Sequence, residues 1–158
     1  MSIGLGALVA VLLYFWLQFT FSSEEARVRS FILEGRRAAE SRNILACAGL
    51  ISKDYADKYH NDRQSLIYIA REVFAYYKTI IISIDKMDIR FNEDKDKATV
   101  EIVAMVLCRA EGHKTEKVFE GEKGLVRIKI IKEEGRWRLL EAEPLERLTL
   151  MGQTIEMI

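Results

Sequence analysis

The sequence predicts an α+β domain in which three N-terminal helices pack on a curved antiparallel sheet of about four strands, preceded by one transmembrane helix. Three observations carry this expectation. Ile3 to Phe21 contains no charged residue, apolar residues then recur at helical spacing to Tyr77, and after Lys78 the period changes to two.

The opening run, IGLGALVAVLLYFWLQFTF, would rise roughly 28 Å as a helix, close to the roughly 30 Å thickness of a bilayer core. Tyr14, Trp16, Gln18 and Thr20 lie toward its far end, where rings and amides reach the headgroup layer. A cleaved signal would carry a basic start and a small-residue cleavage site. No basic residue precedes Arg27, and Phe19-Thr20-Phe21-Ser22-Ser23 offers only a poor site, so residues 1–22 are read as an uncleaved single-pass anchor contacting the membrane through residues 3–21. Arg27, Arg29, Arg36 and Arg37 after the span favour a cytoplasmic domain by the positive-inside rule. They are mixed with Glu24, Glu25 and Glu34, however, and one N-terminal span ahead of one domain is the layout of an exporting signal anchor. The extracytoplasmic side is therefore the expectation.

Behind the anchor, about 135 residues suffice for one domain with a single core. The 24 Lys plus Arg balance 24 Asp plus Glu, so no global field draws nucleic acid, and none is expected as a partner. A single Pro and the lack of a fixed-period repeat argue against disorder and solenoids. Cys47 and Cys108 each sit in an apolar pattern and read as buried thiols, with a disulfide as the alternative in an exported protein.

Val28, Phe31, Ile32, Gly35 and Ala39 mark a first domain helix from about Ser23 to Glu40. Ser41 is expected to cap a second, carrying Ile44, Leu45, Ala48, Ile51 and Tyr55. Asn61 or Asp62 caps a third, with the stripe Leu66, Ile69, Ala70, Val73 and Tyr77. Thr79 to Phe91 is rich in β-branched residues, and Asn92 to Asp96 is a polar turn. Ala98, Val100, Ile102, Ala104, Val106 and Cys108 alternate with polar neighbours as a strand with one buried face. After a turn at Glu111 to Lys114, a third strand runs from Val118 to Lys132, bent at Gly121 or Gly124. Glu133-Glu134-Gly135 turns the chain into a fourth strand, Arg136 to Leu140, which ends before Pro144.

This order, with LISKDYADKYHNDRQSLIYIAREVF, DKATVEIV and KIIKEEGRWRLLEAE, resembles the nuclear transport factor 2-like superfamily over roughly Glu24 to Glu143. The superfamily has a cone-shaped, cystatin-like fold and includes ketosteroid isomerase, scytalone dehydratase and many small bacterial domains. The resemblance implies one such domain over residues 23–146 and a pocket between the concave sheet face and the helices. Its lining would fall on Tyr55, Leu66, Ile69, Val73, Val100, Ile102, Ala104, Val106, Ile128 and Ile130. Enzymes of the group place an Asp or His base and a Tyr or Asp donor inside the cone, where burial tunes their pKa.

Asp54 as base with Tyr55 or Tyr77 as donor are the catalytic candidates this implies, and Tyr68 and Tyr76 lie near them. The plainer reading has Asp54 capping a turn and Tyr55 filling the cone mouth, because the inward strand positions are aliphatic apart from Cys108. His60 and His113 lie in polar turns, and two His with two Cys form no pair at ligand spacing, so neither a metal nor a cofactor is expected. Arg127, Lys129, Arg136 and Arg138 form either a basic patch or one side of an alternating, solvated charge pattern. The apolar extension, residues 147–158, docks on its own domain or on a partner. The function these observations favour is a membrane-anchored, non-catalytic binding module whose partner is a protein or an apolar small molecule. A homodimer remains open, and the alternative is a small lyase or isomerase.

Overall fold

The computed structural model of the chain describes residues 3–110 and 120–148. The expected turn at 111–114, with His113, and most of the 147–158 extension lie outside them. Element order is α1 (Ile3–Glu40), α2 (Ile44–Gly49), α3 (Arg63–Tyr76), β1 (Tyr77–Phe91), β2 (Lys97–Ala110), β3 (Glu120–Glu133) and β4 (Arg136–Leu148). The strands form one antiparallel sheet in the order β1-β2-β3-β4. The α+β class, with helices first and a meander after them, is therefore as the periodicity predicts.

The N-terminal run and the first domain helix are one continuous helix of 38 residues rather than two elements. The reason is local. Ser22 to Glu25 contains neither Pro nor Gly, and Arg27–Glu24 and Arg29–Glu25 pairs at 3.2 and 2.9 Å support the turns that follow the supposed boundary. Gly6 to Leu17 are exposed throughout, whereas Val28, Ile32 and Ala38 further along α1 are buried. Among the described residues no helix is long and apolar enough to cross a membrane.

Ser41 does not cap α2. Its hydroxyl donates back to the Arg37 and Ala38 carbonyls and so finishes α1, while the Asn43 side chain accepts from the Ala46 N–H at 3.1 Å. α2 also stops at Gly49, short of the expected Ile51 and Tyr55, and Arg63 takes one carbonyl of its last turn and one just beyond it. Its guanidinium donates to the Ala48 and Ile51 oxygens at 2.9 and 3.2 Å. Freed from the helix, residues 50–56 lie along β4. Leu139 N–H donates to Leu50 O at 2.8 Å, Ser52 N–H to Leu139 O at 2.9 Å and Ala56 N–H to Leu140 O at 3.2 Å. Asp62 caps α3 through the Ser65 N–H, and Arg42 donates to the Phe74 carbonyl near that helix's end.

The core lies where α1 crosses the sheet. Val28 and Ile32 meet Ala98 and Val100 of β2, Ile128 and Ile130 of β3 and Trp137 of β4. Met87, Ile89 and Phe91 close it from β1. β1 and β4 each carry two register shifts, at Tyr77/Thr79 and Ile84/Lys86 and opposite Leu125/Val126 and Lys129/Ile130. Such shifts bend a strand. The β2–β3 register, by contrast, runs without interruption through Gly121 and Gly124, so the bulge expected there is absent. β4 also continues through Pro144, which the expectation made its limit. On an outer strand the missing N–H of Pro interrupts no second ladder, and Pro144 adjoins a register shift. Between β3 and β4, Glu134 and Gly135 both have positive φ, 51° and 75°, the two-residue hairpin geometry for which glycine is suited.

Outward residues pair by charge. Arg127 meets Glu101 and Lys129 meets Glu141, both at 2.9 Å, and Lys123 meets Asp85 at 2.8 Å. Of the four basic residues considered for a patch, Arg127 and Lys129 are thus members of an alternating charge pattern. At this exposure each pair contributes little to stability.

Trp137 is 5 % exposed and packs against Phe91 at 6.1 Å between ring centres. Trp137→Ala is expected to cost about 3–5 kcal/mol in urea unfolding, and a loss below about 1 kcal/mol would be inconsistent with a core position. Ser52 is fully buried and bonds to the Glu133 carboxylate while its Oγ accepts the Asp54 N–H. Ser52→Ala should cost about 1–3 kcal/mol by the same measurement, because two groups lose their partner at once.

Candidate functional site

The segment between α2 and α3 carries most of the polar candidates. Tyr55, 3 % exposed, donates its hydroxyl proton to Asp57 Oδ2 at 2.9 Å. Asp57 also accepts from the Tyr59 N–H at 2.9 Å and from the Asn61 backbone and side-chain amides, each at 3.0 Å. Burial works to raise the Asp57 pKa, but the hydrogen bonds from Asn61, Tyr55 and Tyr59 outweigh it and hold the carboxyl below its ordinary value. Burial, and then the bond to the Asp57 carboxylate, push Tyr55 above the usual phenol range. The pair is a closed turn with its protons committed. His60 occupies the same turn at positive φ, 63°, and is exposed.

Asp54 is an exposed turn residue whose backbone N–H is held by Ser52. Tyr77 follows α3 as its C-cap, half-buried and edge-on to Tyr76 at 4.8 Å. The donor that Asp54 would need in Tyr55 is bonded to Asp57 instead. Sequence reasoning overlooked Asp57 and the buried Ser52–Glu133 pair. The run Asp57-Lys58-Tyr59-His60-Asn61 did carry a signal, since an Asp ahead of backbone amides two and four residues on is the composition of an Asx-type turn.

The expected pocket lining divides. Val100, Ile128 and Ile130 are sealed in the core, Ile102 packs at its margin, and Ala104 and Val106 are half-buried further along β2. Leu66 is half-buried on α3, whereas Ile69 and Val73 are exposed, and no α3 residue is buried. Two concavities of about 620 Å³ each share only Ile130 with that lining. One is on the outer sheet face among the paired charges Glu101, Arg127, Lys129 and Glu141. The other is a groove between α1, α2 and the β3–β4 turn, walled by Arg27, Phe31, Leu50, Arg136 and Arg138 with Trp137. Among the described residues no cluster of three or more His, Cys, Asp or Glu could hold a metal ion, and Cys47 and Cys108 are half-buried and not joined in a disulfide. Burial raises the Cys47 thiol pKa, which disfavours the reactive thiolate.

No family model matches the chain, and no curated protein does. Solved structures do. A candidate scytalone dehydratase from Novosphingobium aromaticivorans superposes with a TM-score of 0.71 at 12 % identity, covering 87 % of this chain and 99 % of that one. The fold is nuclear transport factor 2-like. A candidate dehydratase of the nuclear transport factor 2-like family from Streptomyces avermitilis gives 0.68 at 12 % identity, covering 78 % and 97 % of the two chains. A candidate aromatic ring hydroxylase from N. aromaticivorans gives 0.63 at 11 %, covering 80 % and 94 %. At these identities the nuclear transport factor 2-like likeness is one of fold, and the site must be argued from this chain's residues.

Asp57 gives a pH prediction. Its folded pKa lies below its unfolded value near 4, so its contribution to stability is complete above about pH 4 and is lost as pH falls through the folded pKa. Urea midpoints of the wild type should therefore fall below about pH 4 more steeply than those of Asp57→Asn. Parallel curves would remove Asp57 as the centre of the turn.

Proposed function

We propose that the chain is a membrane-tethered, non-catalytic binding module, with its nuclear transport factor 2-like domain on the extracytoplasmic side. The observation that carries the tether is the exposure of every residue from Gly6 to Leu17, including Leu12, Phe15 and Trp16 at 60–65 %. Twelve consecutive uncharged and mostly apolar residues project from a helix whose later turns are core. In water that surface is unfavourable at roughly 25 cal/mol per Å², and a bilayer or a partner relieves it. The uncharged run in the sequence, residues 3–21, is of bilayer length.

The non-catalytic part is supported by the proton inventory. Acid-base catalysis needs a base and a donor within reach of one substrate. The Tyr55 proton is held by Asp57, and Asp54 is exposed. The second reading, a small lyase or isomerase, takes its support from the dehydratase descriptions of two similarly folded proteins.

Two measurements test these readings. The full-length chain should stay with membranes through a high-salt wash, while a chain starting near Ser22 should not. Recovery of the full-length form in the soluble fraction would refute the tether. Asp54→Asn should preserve whatever phenotype the wild-type chain restores to a deletion strain, with stability changed by no more than about 0.5 kcal/mol. Loss of that phenotype at an unchanged melting temperature would instead install the enzyme reading.

A further inference from the structure

The outer face of the sheet divides into two halves. Toward the β3–β4 turn it carries Thr99, Glu101, Arg127, Lys129, Glu141 and Glu143, and its charges pair across strands. Toward the other end it carries Ile81, Val103, Met105, Leu107 and Leu125. Their direction follows from the register. Val100 and Ile102 face the α1 core, so the period of two turns Val103, Met105 and Leu107 away from it. Ile81 stands opposite Leu107 and Leu125 opposite Val103, which extends the patch onto β1 and β3.

β2 thus departs from the pattern of a strand with one wet face. Ile102 to Cys108 is an unbroken apolar run, the composition of a strand covered on both sides, whereas a half-solvated strand alternates. On the inner side the run reaches the α1 core through Ile102. On the outer side Ile81 is 44 % exposed, and Val103, Met105, Leu107 and Leu125 are half-buried. A contiguous apolar patch of this kind marks a docking surface. Gly121 stands opposite Leu107, and glycine inside a strand commonly marks the close approach of another backbone.

β4 ends at the rim of this patch. Leu148, its last residue, pairs with Lys123, which in turn pairs with Met105. Residue 149 therefore starts level with the middle of the patch and two strands from it, about 10 Å. Residues 149–158 follow as TLMGQTIEMI, in which Leu150, Met151, Ile155, Met157 and Ile158 are apolar and Glu156 is the sole charge. Fully extended, such a segment spans up to roughly 33 Å, whereas the four strands are about 14 Å across.

We propose that residues 149–158 fold back across the outer face of the sheet and cover Ile81, Val103, Met105, Leu107 and Leu125. Attachment through β4 favours this occupant over a free one, because a segment joined directly to the rim has an effective concentration of roughly millimolar order. While it is docked, a second copy of the chain has no access to that face. The docking holds whether or not α1 enters a membrane.

Methionine oxidation reads the cover directly, because Met105 lies under the proposed segment and Met87 packs against the α1 core. The full-length chain in a maltoside detergent and the same chain ending at Leu148 are treated with dilute hydrogen peroxide, and the sulfoxide at each methionine is followed by peptide mass spectrometry. Met105 should oxidise about fivefold or more faster in the shortened chain, with Met87 unchanged. I155E/M157E in the full-length chain should have the same effect, and it replaces the shortened chain if that form fails to fold. Circular dichroism and the melting temperature establish that each variant is folded. Equal Met105 rates in the full-length and altered chains, whether fast or slow, overturn the proposal. Protection of Met105 that rises with protein concentration and survives the loss of 149–158 also overturns it, and assigns the face to a second copy of the chain.

Discussion

The alignment of residues 50–56 along the free edge of β4 holds the helical and sheet layers in one arrangement. Three backbone hydrogen bonds and the buried Ser52–Glu133 contact join a loop between helices to the last hairpin. Without them β4 would present an unpaired edge, and Trp137 would lose the wall that keeps it in the core. The same contact sets the length of α2, because Ile51 cannot both extend a helix and bridge to Leu139. It also brings Leu50 and Gly49 against the β3–β4 turn, which forms the groove. At the opposite edge, Glu40 accepts the Ile82 N–H at 2.9 Å, so α1 shields β1 in turn.

Polar groups follow a simple division. In the core between the sheet and α1 the side chains are aliphatic or aromatic, which suits burial and offers nothing to move a proton, and Lys132 beside it is paired with Glu24 of α1. Between α2 and α3 the polar side chains satisfy one another around Asp57, which gives a rigid turn at the expense of a reactive one. The Lys58–Glu143 pair at 2.8 Å ties that turn to β4 as well. The indole Nε1–H of Trp137 is buried without an acceptor.

Period-two alternation in β1 and β2 and the apolar spacing in α1 and α3 were legible, because each reflects one local repeat facing one core. Asp62 as a cap and Glu134-Gly135 as a turn were legible for the same reason, being short-range chemistry. What escaped was set at a distance. Ser41 is equally able to cap forward or bond backward, and the fit of α1 against α2 decided. Pro144 reads as a stop, yet an outer strand tolerates it. For the site, Asp54 and Asp57 are indistinguishable by composition, and only the positions of Tyr55 and Asn61 show which carboxylate is the centre.

By itself the sequence determined the class of the domain, the order of its elements, the apolar character of residues 3–21 and the aliphatic face of the sheet. These depend on side-chain periodicity and local capping, which act over a few residues. Tertiary structure alone decided that α1 runs unbroken from that apolar stretch into the core, that α2 yields to a strand-like segment on β4, and that Arg136, Arg138 and Trp137 share a groove with Arg27. Each of these is settled by contacts between residues tens of positions apart. In such contacts the gain from pairing a distant edge or burying a distant ring outweighs the local preference of the chain.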